Sequence, residues 1–129
     1  MTEELEAGIL SGDGAALAGF LVDGLGFTLL TTFDFPQGTV RRLRRDRARC
    51  KVFQPADGVE ALPPADPWHG RGGFGYAALL VDDARTLVDR AAAHGAEVLT
   101  DVVSHRPGAR YALLRDPQGN VWEILEEDV

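Results

Sequence analysis

The chain has 129 residues, 45% of them hydrophobic and 26% charged, with a formal net charge of -7. That length suits one domain with a self-sufficient core, and the composition excludes a disordered chain. The acidic balance disfavours a polyphosphate partner, no apolar run approaches the ~20 residues of a membrane span, and Met1-Thr2-Glu3-Glu4 lacks the basic start of a signal peptide. Cys50 stands alone, which excludes an internal disulfide and a multi-cysteine zinc site. A cytoplasmic protein with no nucleic-acid or membrane partner is expected.

In chain order, Glu4 to Ser11 carries Leu5, Ile9 and Leu10 and reads as a strand. Asp13 is placed to cap a helix over 14–24, with Ala16, Leu17, Phe20 and Leu21 at helical spacing and Gly24 and Gly26 at its end. Phe27 to Phe35 is β-branched and aromatic, hence a strand, and Pro36-Gln37-Gly38 is a turn. Val40 to Arg45 and Cys50 to Phe53 read as two more strands, bent at Asp46. A connection over 56–73 follows, rich in Pro and Gly and carrying Trp68 and His69; it is long for an internal link and is a candidate lid. Tyr76 to Val81 is a strand, and Asp82 or Asp83 caps a helix over 84–94 with Leu87, Val88 and Ala91 inward. After Gly95 come strands at Glu97 to Val103, Arg110 to Leu114 and Val121 to Leu125, separated by turns at Arg106-Pro107-Gly108 and Asp116-Pro117-Gln118-Gly119.

The order is β-α-β-β-β, twice. Shifting the chain by 70 residues lays Asp13 on Asp83, Leu17 on Leu87, Gly38 on Gly108 and Arg45-Asp46 on Arg115-Asp116. The last strands need a shift of 72, because the turn at Asp116 is longer than its counterpart. The collinear order of the matches points to an internal duplication, with modules at about 4–55 and 74–127. The fold class is therefore α+β, with two βαβββ modules in one domain over 1–129.

This duplicated module resembles the vicinal oxygen chelate superfamily, which includes glyoxalase I, bleomycin-resistance proteins, extradiol dioxygenases and methylmalonyl-CoA epimerase. Three local patterns carry the resemblance: Phe20 followed by Leu25-Gly26-Phe27, Val81-Asp82-Asp83 leading to Gly95-Ala96-Glu97-Val98, and Asp116-Pro117-Gln118-Gly119-Asn120-Val121-Trp122-Glu123. The resemblance implies that each module curls its strands into half of a cup, with helices outside, and that two modules enclose a ligand cavity. It also implies a homodimer. In metal-dependent members one ligand stands on the first and one on the fourth strand of each module. Here those positions fall on Glu6, Lys51, Tyr76 and Glu123.

That set is a poor metal site, because a lysine ammonium has no lone pair and no histidine occupies any of the four places. No metal and no cofactor are expected. The same four residues instead suggest a charged floor in which Lys51, near Glu6 and Glu123, takes the place of a metal. Of the three histidines, His94 sits at a helix end, where it complements the macrodipole, His105 lies beside a turn, and only His69 is placed near a cavity mouth.

Strand alternation adds the wall: Gly8, Leu10, Phe53, Ala78, Leu80, Val121 and Leu125 share a face with the four key positions. Ile9, Val52, Leu79, Val81, Trp122 and Ile124 have the opposite parity and pack under the helices, as does Cys50. Phe33, Phe35, Trp68 and Tyr111 offer aromatic surface for a planar ligand. The arginine run over 41–49 places Arg42 and Arg44 on one side of a strand, either as a solvated edge or as a grip for a carboxylate or phosphate. The candidate ligand-binding set is Glu6, Lys51, Phe53, Trp68, His69, Tyr76, Tyr111 and Glu123.

The leading functional expectation is a metal-free protein that sequesters a hydrophobic or aromatic metabolite or an antibiotic. The alternative is an enzyme of the same superfamily, either a cofactor-independent isomerase or lyase using Glu6, Lys51, Tyr76 and Glu123, or a metal-dependent glyoxalase- or dioxygenase-like enzyme. A third reading is a structural domain whose cup is filled by its own side chains.

Overall fold

A computed structural model describes residues 3–128. The chain divides into two compact units that meet between Leu62 and Pro63, inside the long connection. The first unit contains β1 (Glu6–Leu10), α1 (Gly14–Asp23), β2 (Thr28–Phe35), β3 (Gly38–Arg45) and β4 (Ala48–Pro55). The second contains β5 (Tyr76–Leu80), α2 (Ala84–Ala93), β6 (Glu97–Arg106), β7 (Ala109–Arg115) and β8 (Val121–Glu127). Each unit is one four-stranded mixed sheet, in the order β1-β4-β3-β2 and β5-β8-β7-β6. In both, the first strand pairs parallel with the last and the remaining pairs are antiparallel. The α+β class and the doubled β-α-β-β-β order therefore stand.

Both helices start where an aspartate accepts an otherwise unpaired backbone N–H. Asp13 accepts from Ala16 N at 3.1 Å. Asp83 accepts from Thr86 N at 3.1 Å and from the Thr86 hydroxyl at 2.7 Å, and these bonds hold its carboxyl below the usual aspartate range. Gln54 Oε1 accepts from Gly14 N at 2.8 Å, which ties the start of α1 to β4.

Each helix covers one face of its sheet. In the first unit Leu17 and Leu21 of α1 are buried together with Leu43, Cys50 and Val52 of the strands. In the second, Leu87, Val88 and Ala91 of α2 are buried with Ala112, Leu114, Trp122 and Ile124. Burying each large apolar side chain stabilises by about 1.5–3 kcal/mol, so these two clusters dominate the core. The opposite face of each sheet is open: Leu10, Phe33, Tyr76 and Leu80 all remain exposed.

Asp116 marks the last turn of the second unit. It is 3% exposed, yet it carries a carboxylate. That carboxylate accepts from Gln118 N at 2.9 Å, from Asn120 N at 3.0 Å, from Asn120 Nδ2 at 2.9 Å and from the Trp122 indole at 3.0 Å. The Asp-Pro-Gln-Gly-Asn-Val-Trp pattern is thus a local polar cage, with the buried carboxylate accepting from four donors of its own turn and strand.

Three features differ from the sequence reading. β3 lies inside its sheet, between β4 and β2, so the arginine run is not on an edge. β6 runs on to Arg106, three residues past the expected end, so His105 stands in the strand just before the Pro107-Gly108 turn. Val121, placed by parity on the open face, is 8% exposed, and beside it Arg115 reaches Ala65 O at 3.3 Å.

Candidate functional site

Strand register decides which charges meet on the open face of the first sheet. Glu6 on β1 lies opposite Arg49 on β4, Lys51 on β4 lies opposite Arg42 on β3, and Arg49 lies opposite Arg44. Side chains two apart on a strand share a face, so Glu6, Arg42, Arg44, Arg49 and Lys51 all project from the same side. Arg41 and Arg45 take the other side, where Arg41 approaches Gln54 and Arg45 donates to Leu25 O at 3.1 Å.

Glu6 is the centre of this cluster. Arg42 donates to its Oε2 from Nη2 at 3.1 Å and from Nε at 3.3 Å. Lys51 Nζ lies 3.3 Å from Oε1, and the buried Arg49 Nε lies 3.5 Å from Oε2 without making a hydrogen bond. Glu4 forms the second node. Arg44 grips both of its oxygens, at 3.1 and 3.0 Å, and Arg49 Nη1 donates to it at 3.2 Å. Partial burial of Glu6 opposes its ionisation, but Arg42 and Lys51 outweigh it and hold its carboxyl below the ordinary value. Arg44 holds Glu4 low in the same way, against a smaller burial effect and with help from Arg49, and Glu4 in turn raises Arg44.

Beside the charges lies an aromatic patch. A bulge between Leu29 and Thr31 resets the parity of β2, so that Phe33 pairs with Val40 and Phe35 with Gly38. Phe33 and Phe35 have ring centroids 6.0 Å apart, and Phe35 and Phe53 5.6 Å apart. Those spacings are within the range of attractive aromatic pairs. The open face of the first sheet is therefore charged at one end and aromatic at the other.

In the second unit the structure brings Trp68, His69 and Tyr76 together. Trp68 meets Tyr76 edge to face at 5.7 Å and His69 at 5.3 Å. Tyr111 meets His105 at 5.2 Å, a contact the sequence did not signal. Glu123 is half-buried, and register puts it on the same sheet face as Tyr76 and Tyr111. His94 caps α2, with Nδ1 2.9 Å from Arg90 O. A shallow polar cleft of about 380 Å³ opens elsewhere, beside Asp82, Arg110, Glu126 and Glu127. Two of its carboxylates are paired, Glu126 with Arg110 and Glu127 with Arg106, both at 2.6 Å.

Of the sequence candidates in the first unit, Glu6 and Lys51 are paired as expected and Phe53 joins the aromatic patch. Arg42 and Arg49 were missed as partners of Glu6. The parity of Arg42 was legible, but its meeting with Glu6 depends on the pairing of β1 with β4.

The donor set of this unit does not suit a divalent metal. A dication beside Glu6 would face Arg42, Arg49 and Lys51 within a few ångströms and would have to displace at least one from the carboxylate. Among the described residues, no group of three or more His, Cys, Asp or Glu is placed to hold a metal ion. No helix among them is long and apolar enough to cross a membrane.

The fold recurs in solved structures. Glyoxalase I from Zea mays matches with a TM-score of 0.79 at 20% identity, over 97% of this chain and 47% of the maize chain. This chain thus spans less than half the length of the maize enzyme. TioX from Micromonospora sp. ML1 matches with a TM-score of 0.74 at 19% identity, over 98% of this chain and 100% of TioX. A glyoxalase family protein from Bacillus cereus matches with a TM-score of 0.77 at 18% identity, over 98% of this chain and 93% of its own. Identities this low establish the fold alone. No curated protein matches the sequence significantly. The family model described as Glyoxalase/Bleomycin resistance protein/Dioxygenase superfamily matches residues 5–124, and the chain belongs to that superfamily.

Proposed function

We propose that this chain is a metal-free small-molecule-binding protein of the bleomycin-resistance type. It sequesters a hydrophobic or aromatic metabolite, or an antibiotic, without transforming it. The observation that carries this reading is the state of Glu6. The resemblance assigns it to a metal-ligand position, and both of its oxygens are engaged by Arg42, Arg49 and Lys51. The same engagement weakens the enzymatic alternative, because a carboxyl held below its ordinary pKa is a poor general base near neutral pH. The aromatic patch of Phe33, Phe35 and Phe53 supports a planar apolar ligand. In this reading Glu6, Lys51 and Phe53 are the ligand-binding candidates of the first unit and Trp68, His69, Tyr76, Tyr111 and Glu123 those of the second, and the protein acts as a cytoplasmic homodimer.

The test is a panel of mono- and bicyclic aromatic compounds incubated with the protein and followed by proton NMR, with and without added zinc or nickel. Saturable line broadening with every compound recovered unchanged is the expected result. Conversion of any compound, above all conversion that needs the metal, would overturn it.

A further inference from the structure

The open face of the first sheet carries more positive than negative charge, in a chain whose net charge is -7. Arg42, Arg44, Arg49 and Lys51 face Glu4 and Glu6, and four cations against two carboxylates leave an excess of two positive charges. The two glutamates cannot occupy all the donors. Lys51 has one ion-pair partner, and its side chain is 43% exposed. Arg42 spends Nε and Nη2 on Glu6 and is 34% exposed, which leaves the far side of its guanidinium open.

These open donors adjoin the aromatic patch. The pair Val40–Phe53 follows directly after the pair Arg42–Lys51 on the same face of the ladder. Two residues along a strand cover about 7 Å, so Lys51 and Phe53 are near enough along the strand for one bicyclic aromatic acid to span both. Neutral planar molecules gain only the rings there, and cations are repelled.

We infer that the ligand of this protein is an aromatic carboxylate, with its ring against Phe33, Phe35 and Phe53 and its charge against Lys51 and Arg42. This deepens the small-molecule reading above and rests on it. A guanidinium and an ammonium side by side suit a carboxylate, which accepts from both at once.

The test uses three probes that share a ring system and differ in charge: 2-naphthoate, 2-naphthalenemethanol and 2-naphthylmethylammonium. Each is titrated calorimetrically into the full chain. The expected order is naphthoate first, with the alcohol about tenfold weaker, as loss of one charge-assisted contact implies, and the ammonium weakest. Lys51→Gln should weaken naphthoate much more than the alcohol and bring the two close together, whereas Phe35→Ala should weaken both alike. Added salt gives the same readout without a mutation, by weakening naphthoate selectively. Equal affinities for acid and alcohol, or tightest binding of the ammonium, would overturn the charge assignment and leave the small-molecule reading standing. If none of the three binds, both fall.

Discussion

Asp116→Ala is expected to destabilise the protein by about 3–4 kcal/mol, the largest effect of any single polar substitution in the chain. The reason is the cage around a carboxylate that is 3% exposed. Alanine removes the acceptor for the Trp122 indole, for the Asn120 amide and for two backbone N–H groups. The Trp122 indole stays buried and the Asn120 donors half-buried. Leaving a buried donor unpaired costs about 1–3 kcal/mol, more than a matched pair contributes when intact. Asp116→Asn should cost less, about 1–2 kcal/mol, because one amide oxygen still accepts while the new NH₂ opposes a donor. Denaturant unfolding of the two variants checks the order. A loss below about 1 kcal/mol for the alanine variant would show that the cage is not what holds the turn.

Gly38→Ala is expected to cost a further large amount, about 2–4 kcal/mol, by a different route. Gly38 opens β3 at φ 152°, a conformation L residues rarely adopt. A Cβ there would lie 2.2 Å from Gln54 O and 2.7 Å from Phe53 Cε1. The first of these is backbone on the paired strand, so relief requires parting β3 from β4. The second is a ring of the aromatic patch, so the variant should also lose ligand affinity. The duplicate position provides the control. Gly108 has φ 78°, but its Cβ would come only within 3.2 Å of Asp128 Oδ2, the tip of a side chain that can move. Gly108→Ala should cost about 1–2 kcal/mol, from backbone conformation alone. Equal losses at the two positions, measured by thermal or denaturant unfolding, would contradict the steric explanation.

Much of this architecture is legible in the amino-acid sequence, and the reasons differ from element to element. The aspartate caps were readable because capping is local: Asp13 acts on a residue three positions away, and of the two candidates Asp82 and Asp83 it is Asp83 that does the same. The helix-side core was readable from alternation, since Val52, Leu79, Trp122 and Ile124 all lie buried as their parity requires. The aspartate at 116 was readable as a turn, but not as a buried acceptor for Trp122, because that bond closes only when β8 folds back on the turn. The charge cluster was half legible. Lys51 beside Glu6 follows from the duplication and the resemblance, and the pair lies 3.3 Å apart. Arg42 and Arg49 join it through the register of three strands, which no single segment encodes. The same register makes the arginine run an interior feature of the sheet and gives the open face its positive excess.

The position that resembles a metal-ligand site therefore holds an ion-pair network. Each pair is partly solvated and stabilises the fold only weakly, so its importance is chemical rather than structural. It spends the carboxylate a metal would need and leaves cationic donors facing outward beside three phenylalanines. Native mass spectrometry of untagged protein, purified without chelator, tests this most directly because it weighs metal and organic ligand in one spectrum. The expected spectrum shows the bare protein mass, alone or with a small organic adduct. A stoichiometric transition metal that survives buffer exchange would contradict it and place a metal-dependent enzyme first.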